Sequence, residues 1–265
     1  MIRYDLAAMV ERRKGATALL PPIEDSAGAR ADYLKALRAL LRAANAYVRE
    51  TMLPEIEREI AATLTMDIGG DMFARFAGIV ANLAYAAEQM VDRILGLEAK
   101  RHTAKFKAQA KKALGIDLTA VVREEDLAGY LENAATRNVG LIRGLSADLV
   151  KRIQERVTTA LIQGETAKAL RKTLTEEFGI ADRRAQLIAQ DQIAKLNSDM
   201  NRIRHEQAGV TSYKWLTSRD ERVRPRHREL EGKIYKYGEP TGAEGGLQPG
   251  QPIRCRCVAR GLVTF

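Results

Sequence analysis

The sequence predicts a mainly α protein, in which a helical N-terminal and central body precedes a small C-terminal α+β module. Aromatic residues make up only 5% of the chain, and the abundance of Ala, Leu, Arg, Lys and Glu is typical of long packed helices. Apolar residues recur at spacings of three and four over most of the chain, which indicates amphipathic helices. After Gly209 the pattern changes to short strand-like runs between turn residues, and this change predicts the module.

The first part of the chain is predicted to form an extended arm, residues 1–30, followed by an N-terminal helical region, residues 31–114. Two consecutive prolines and an Asp-Ser-Ala-Gly turn signal interrupt any helical period in the arm. Within the helical region, Pro54 should kink or restart a helix, because proline cannot donate a backbone hydrogen bond. The glycine pair at 69–70 should break the next helix, and Gly115 should end the region.

A central helical region is predicted over residues 115–208. Ser146 is a favourable N-cap for an apolar run that Gly164 should close. Gly179 is expected to stop the following helix, and Asp182 to cap the last one.

The C-terminal α+β module is predicted over residues 209–265. Strands are expected at 211–217, 233–237 and 253–260, where β-branched and aromatic residues lie between turn residues. The stretch 238–250 is rich in Gly and Pro, and so long a loop is unusual in a compact domain unless it has a function or is disordered.

The chain is basic, with 43 Lys and Arg against 34 Asp and Glu and a formal net charge of +9. Such an excess favours encounters with nucleic acid, an anionic membrane or an acidic partner. The first residues lack the apolar core of an export signal, and no apolar stretch is long enough to span a membrane without an acidic residue, so we expect a soluble protein without membrane association. Two cysteines are too few for a disulfide framework, which is consistent with a reducing compartment.

The candidate metal ligands are His227, Cys255 and Cys257, with Asp220 or a water as the fourth ligand. The first and third residues of a Cys-x-Cys lie on the same face of a strand. Two thiolates and one imidazole supply three of the four ligands of a tetrahedral zinc ion. The sequence therefore makes zinc a candidate cofactor.

Two other interpretations of these residues are open. In the first, two reduced thiols pack in a small core and His227 is hydrogen-bonded to a carboxylate. In the second, the two cysteines form a disulfide or have a redox role. The short spacing disfavours an unstrained bridge between them.

The C-terminal module is locally more basic than the whole chain, and its cations are mostly arginines. The arginine fork pairs two phosphate oxygens at once. Neither interleaved aromatic residues nor a groove-reading helix accompany them, so we expect contact with the double-stranded DNA backbone without sequence preference. The candidate DNA-contacting residues are Arg222, Arg224, Arg226, Arg254, Arg256 and Arg260.

The order and spacing of motifs in the module resemble the C-terminal domain of phage Mu F-like head morphogenesis proteins. The matching stretches are Tyr213-Lys214-Trp215, the run from Asp220 to His227, Leu230-Glu231-Gly232, Pro249-Gly250-Gln251 and Cys255-Arg256-Cys257. Further upstream, Leu187 to Asp191 and Gly164 resemble the family more loosely, so that the resemblance covers roughly residues 115 to 265. The residues that carry the motif are Trp215, Asp220, Arg222, His227, Gly232, Cys255 and Cys257.

The resemblance implies a minor capsid protein of a tailed phage, without enzyme activity, engaged in procapsid assembly at the portal vertex. The partners it implies are the portal protein and the major capsid or scaffolding protein. The location it implies is the head interior, after assembly in the host cytoplasm. The helical body would then contact partners, and the module would lie towards packaged DNA.

One departure from the family bears on the metal. Many relatives carry cysteines where this chain has Arg224 and His227, and a Cys-x-x-Cys combined with Cys-x-Cys would complete a four-ligand site. An arginine cannot bind a metal. Here the site has either three protein ligands, a borrowed ligand such as Asp220, or no metal.

Two alternative functions remain open from the sequence. One is a metal-dependent hydrolase or nuclease that uses His227, the cysteines and an acid such as Asp220 or Glu221. The other is a plain DNA-binding protein without a role in the head. The enzyme needs a concave site in which the Cys and His side chains face solvent, whereas a structural role buries them.

Overall fold

The computed structural model describes residues 2–61 and 70–265. It confirms a mainly α chain with a small sheet, three of whose four strands lie in the C-terminal module. The α-helices are α1 (Ala27–Tyr47), α2 (Leu53–Ala61), α3 (Gly70–Leu114), α4 (Ala128–Ile162), α5 (Ala167–Gln207) and the short α6 (Pro225–Arg228). The strands are β1 (Thr17–Leu19), β2 (Ser212–Leu216), β3 (Ile234–Lys236) and β4 (Val258–Thr264). In the described part of the chain, no helix has the length and apolar content needed to span a bilayer.

Proline and glycine set several helix ends as predicted. A π-helical turn, Val48–Met52, separates α1 from α2 directly before Pro54. Proline lacks an N–H and crowds the carbonyl four residues earlier, so the wider turn relieves the backbone there. Gly115 and Gly164 follow α3 and α4 with φ of 75° and 64°, the left-handed conformation that ends helices. The break predicted at 69–70 involves Gly69, which lies outside the described residues.

Two predicted helix boundaries are wrong. Helix α4 runs through Ser146, whose Oγ donates to the Ile142 carbonyl instead of capping a new helix. Helix α5 runs through both Gly179 and Asp182. An interior glycine costs a helix only about 1 kcal/mol, and apolar residues such as Phe178 are buried on either side of it. Burial of the helix face outweighs that cost.

The sheet is antiparallel, with strand order β1-β4-β2-β3. Strands β2 and β3 lie where they were predicted. The third predicted strand begins later than expected, as β4, so both cysteines precede it and do not lie in a strand. Strand β1 was not predicted: it lies in the presumed arm and pairs with β4, with Thr17 opposite Thr264 and Leu19 opposite Leu262.

The first compact unit comprises Met1–Arg30, Leu95–Ala134 and Gln190–Phe265. One of its apolar cores joins N-terminal residues to the end of the chain: Leu6, Leu20 and Ile23 are buried in the same cluster as Phe106 and Val263. The side-chain amides of Asn197 and Asn201 both donate hydrogen bonds to the Ile23 carbonyl, which lies in the N-terminal segment before α1. The N-terminal residues are thus an integral part of this unit.

The second compact unit comprises Ala31–Ile94 and Ala135–Ala189 and is helical in its described residues. The Tyr47 and Phe76 rings stack with centroids 6.0 Å apart. Asp182 accepts two hydrogen bonds from Arg38, from Nε at 2.7 Å and Nη2 at 2.9 Å. These contacts connect α1 to α3 and to α5. The four-part division of the chain at residues 30, 114 and 208 stays a prediction.

We predict that Gly261→Ala destabilises the chain. A Cβ at Gly261 would lie 2.9 Å from His205 Nε2 and 3.0 Å from Cε1, and the buried ring cannot retreat because its Nδ1 is 2.6 Å from the Tyr237 hydroxyl. Overpacking of this kind costs about 1–3 kcal/mol. Urea unfolding measures it. Gly78→Ala in α3 is the control, since no atom of the described residues lies within 4 Å of its Cβ position. Equal stability of the two variants would contradict the packing argument.

Candidate Cys/His site

The site is assembled from three parts of the first unit: strand β2, helix α6 and the segment that precedes β4. Helix α6 begins with Pro225 after an extended Arg224, which is the arrangement that proline favours at a helix start. Its single turn buries His227, which is 2% exposed. Cys255 and Cys257 are buried beside it at 4% and 5% exposure, and neither forms a disulfide.

The three predicted ligands converge. His227 Nδ1 lies 3.6 Å from Cys255 Sγ and 3.6 Å from Cys257 Sγ. All three ligand atoms lie within 4.8 Å of one another, and they are the group that could hold a metal ion in the described part of the chain. The three side chains that the sequence predicts as metal ligands therefore lie close enough together to bind one ion.

The distances fit a zinc ion. Zinc bonds to sulfur at about 2.3 Å and to nitrogen at about 2.0–2.1 Å, so tetrahedral angles place the nitrogen and each sulfur about 3.6 Å apart. His227 Nδ1 has that separation from both sulfurs. The same distances also suit S–H···N hydrogen bonds from reduced thiols to the imidazole. The geometry is thus compatible with the first two interpretations of the cluster.

Glu244 is the residue that the sequence reasoning missed. Its Oε2 lies 2.6 Å from His227 Nε2, and this hydrogen bond lowers the pKa of Glu244. With the Nε2 proton on the carboxylate side, the Nδ1 lone pair faces the sulfurs, which is how carboxylates orient metal-binding histidines. Glu244 lies in the 238–250 stretch, whose unusual length was the one signal of a function there.

The two thiols do not ionise alike. The hydrogen bond with Cys257 lowers the pKa of Cys255, and the Gly250 N–H contributes to the same effect. The hydrogen bond with Cys255, together with burial, raises the pKa of Cys257, and the indole of Trp215 opposes this rise. Among the described residues, the buried Trp215 Nε1 has no ordinary hydrogen-bond partner.

Asp220 does not join the cluster. Its carboxylate accepts a hydrogen bond of 2.6 Å from Arg256 Nη2 and forms an ion pair of 2.6 Å with Nη1 of the same side chain. It also accepts a hydrogen bond of 3.0 Å from the Arg222 N–H, and the hydrogen bond from Arg256 lowers the pKa of Asp220. Gly232 also has a structural position, with φ of 78° and its N–H donating to the Trp215 carbonyl. Both residues shape the backbone around the site.

The six candidate DNA-contacting arginines differ in how strongly they are held. Arg256 is paired with Asp220, Arg224 with Glu244 at 3.4 Å, while Arg226 donates to the Gly242 carbonyl and Arg260 to the Leu20 carbonyl. Among residues 2–61 and 70–265, the one ionic contact of the Arg222 side chain is with the exposed Glu221, at 4.0 Å. For Arg254, the described part of the chain offers neither a hydrogen bond nor an ion pair. Arg222 and Arg254 are thus the two that remain available to a ligand.

Comparison with known proteins agrees with the sequence resemblance. Residues 151–260 match the family described as Phage Mu protein F like protein. An uncharacterized protein of Haemophilus influenzae (strain ATCC 51907 / DSM 11121 / KW20 / Rd) is 34% identical over 173 residues, which are 65% of this chain and 38% of that protein. The chain thus spans little more than a third of that relative's length. No solved structure matches the chain.

We predict that the purified chain contains about one zinc ion and that Cys257→Ser loses it. Loss of one of three protein ligands should also destabilise this small core by about 2–3 kcal/mol, which corresponds to a fall in Tm of roughly 5–10 °C. Elemental analysis and thermal unfolding, each with and without a chelator, measure the two effects. Lys236→Gln, an exposed change in β3, is the control. A metal-free chain that tolerates both chelator and Cys257→Ser would exclude zinc and a stabilising thiol cluster alike.

Proposed function

We propose that the chain is a minor head protein of a tailed phage that acts in head morphogenesis without catalysis. The observation that carries the proposal is the family match over residues 151–260, a segment that includes the whole Cys/His site. Within this proposal the chain associates with the portal vertex inside the head during procapsid assembly, together with the major capsid or scaffolding protein. It also contacts packaged double-stranded DNA without sequence preference.

The engagement of the nearby acids favours a structural role over the hydrolase or nuclease alternative. The three side chains of the Cys/His cluster are at most 5% exposed but contribute to the wall of a cavity, so a hydrolytic site there would still need a carboxylate free to act as a general base. The nearby acids are already engaged, Asp220 with Arg256 and Glu244 with His227. Neither carboxylate is free to act as a general base.

An apolar groove of the second unit supports partner contact by the helical body. The groove has a volume of about 540 Å³ and lies between α3 and α4, with Val80, Ala84 and Tyr85 on one side and Ala147 and Val150 on the other. Tyr85 is 62% exposed, and exposed tyrosines are frequent anchors of protein interfaces. We propose that the portal protein occupies this groove.

We predict that the full chain co-purifies with the portal protein of its phage and that Tyr85→Lys reduces the recovered complex about tenfold or more. Ile162→Lys is the matched control, because Ile162 is as exposed but lies outside the groove. The full chain is required, since truncation before β4 would remove the partner of β1.

Two outcomes would contradict the parts of this proposal separately. If the unmodified chain associates neither with the portal protein nor with the head shell, the assembly role is wrong. If Tyr85→Lys co-purifies as well as Ile162→Lys, the chain uses a different surface.

We predict DNA binding that is nearly equal for unrelated sequences and falls steeply with salt. Each phosphate contact contributes about 0.9 to the slope of log K against log salt, so Arg222→Gln with Arg254→Gln should reduce that slope by about 2. Titration of two unrelated duplexes over a range of salt concentrations measures it. The control, Arg49→Gln with Arg93→Gln, removes the same charge from exposed positions of the helical body. Strong preference for one duplex would argue against backbone contact.

A further inference from the structure

A cavity of about 360 Å³ opens beside the Cys/His cluster in the first unit. Its volume falls in the range of small-molecule sites, which is roughly 300–1,000 Å³. Four arginines line it: Arg222, Arg224, Arg254 and Arg256. Gln190 and Ser218 add uncharged polar groups, and no carboxylate belongs to its lining in the described part of the chain.

Two of these four cations lack a close ion pair in the part of the chain that the structure describes. Arg256 is held by Asp220 at 2.6 Å and Arg224 by Glu244 at 3.4 Å, and both acids lie outside the lining. Within the described ranges the Arg222 side chain has one ionic contact, with Glu221 at 4.0 Å, and both of those side chains are largely exposed. Arg254 has no hydrogen-bonding or charged partner among the described residues. The lining therefore has an excess of positive charge that an anion would balance.

The backbone conformation of Arg254 is a second, independent indication that its side chain has a binding role. The Cys255 N–H donates to the Pro252 carbonyl at 2.9 Å, closing a turn in which Arg254 is the third residue. Its φ is 60°, a left-handed conformation for which turns of this kind normally use glycine. Strained backbone of this sort clusters at ligand-binding positions, where a side chain has a role that glycine cannot supply.

From the cavity, its unbalanced charge and this turn, we infer that the cavity is a binding site for one phosphate group, with Arg254 and Arg222 as its principal ligands. Arginine suits this ligand because its planar fork donates two hydrogen bonds to two phosphate oxygens. Gln190 and Ser218 can donate further hydrogen bonds from the lining. The inference deepens the proposed DNA contact by fixing one phosphate at a defined place.

Phosphorus NMR and calorimetric titration of the full chain test the inference with two probes. Inorganic phosphate represents a free or terminal phosphate group, and the dinucleotide TpT, which has one internal phosphodiester and no terminal phosphate, represents the DNA backbone. We expect saturable binding with one site per chain. Binding of both probes assigns the site to backbone phosphate as well, and binding of inorganic phosphate alone assigns it to free or terminal phosphate.

The decisive variant is Arg254→Gly. Glycine adopts the positive φ without strain, so the variant should keep the Tm of the parent chain while binding phosphate about tenfold more weakly or worse, as expected for loss of a charge-assisted hydrogen bond. Arg222→Gln should weaken binding similarly, and Arg254→Lys should retain part of it. Arg228→Gln is the matched control, because Arg228 is an exposed arginine of α6 outside the cavity lining.

The inference is overturned if the parent chain binds neither probe, or if Arg254→Gly and Arg222→Gln bind phosphate like Arg228→Gln. These results are independent of head assembly. The unmodified chain could fail to associate with the portal or head shell while Arg254→Gly still abolishes phosphate binding. That result would contradict the proposed function and support the phosphate site.

Discussion

The His227 ring is held from both of its nitrogens, by the Glu244 carboxylate at Nε2 and by two cysteine sulfurs near Nδ1. The carboxylate and the pair of sulfurs come from two different stretches of chain, and little regular structure connects these stretches with α6. The apolar core beside the ring is small, with Tyr213, Trp215 and Leu230 as its large members. Because so small a core supplies limited hydrophobic stabilisation, the polar contacts of one imidazole determine how the segments after β2 are arranged.

This constraint explains why the Cys/His group could be predicted from sequence while its geometry could not. Ligand identity depends on residue types and on their order along the chain, and both are visible in the sequence. The prediction placed the cysteines in a strand, whereas they precede β4 and reach His227 from a turn and the residues after it. Glu244 lies 17 residues beyond His227 in a loop without periodicity, so only the folded chain reveals it as the partner of the imidazole.

The same distinction separates the helices and strands that were predicted from those that were not. Strands β2 and β3 have alternating or β-branched residues between clear turn signals, and long helices have strong periodicity. Strand β1 is only three residues long, and its strand conformation comes from pairing with β4 at the other end of the chain. At Gly179 the sequence predicted a helix end that the structure does not have. The local preference of glycine against a helix, about 1 kcal/mol, is smaller than the gain from burying the neighbouring apolar residues.

The structure distinguishes between charged residues that the sequence alone cannot tell apart. Six arginines of the C-terminal module looked equivalent in sequence, but internal acids or carbonyl groups hold four of them. These four arginines hold parts of the protein together. They are weaker candidates for DNA contact, because an arginine already bonded inside the protein gains less from a new anion than an unpaired one does. Of the six, Arg222 and Arg254 keep the positive charge that is least engaged within the protein, and both line a cavity beside the buried cluster. The buried Cys/His group organises the backbone, and the exposed pair of arginines beside it forms the proposed phosphate site. This arrangement agrees with the proposed role in head assembly, in which the cluster holds the module together and the two arginines contact DNA phosphate.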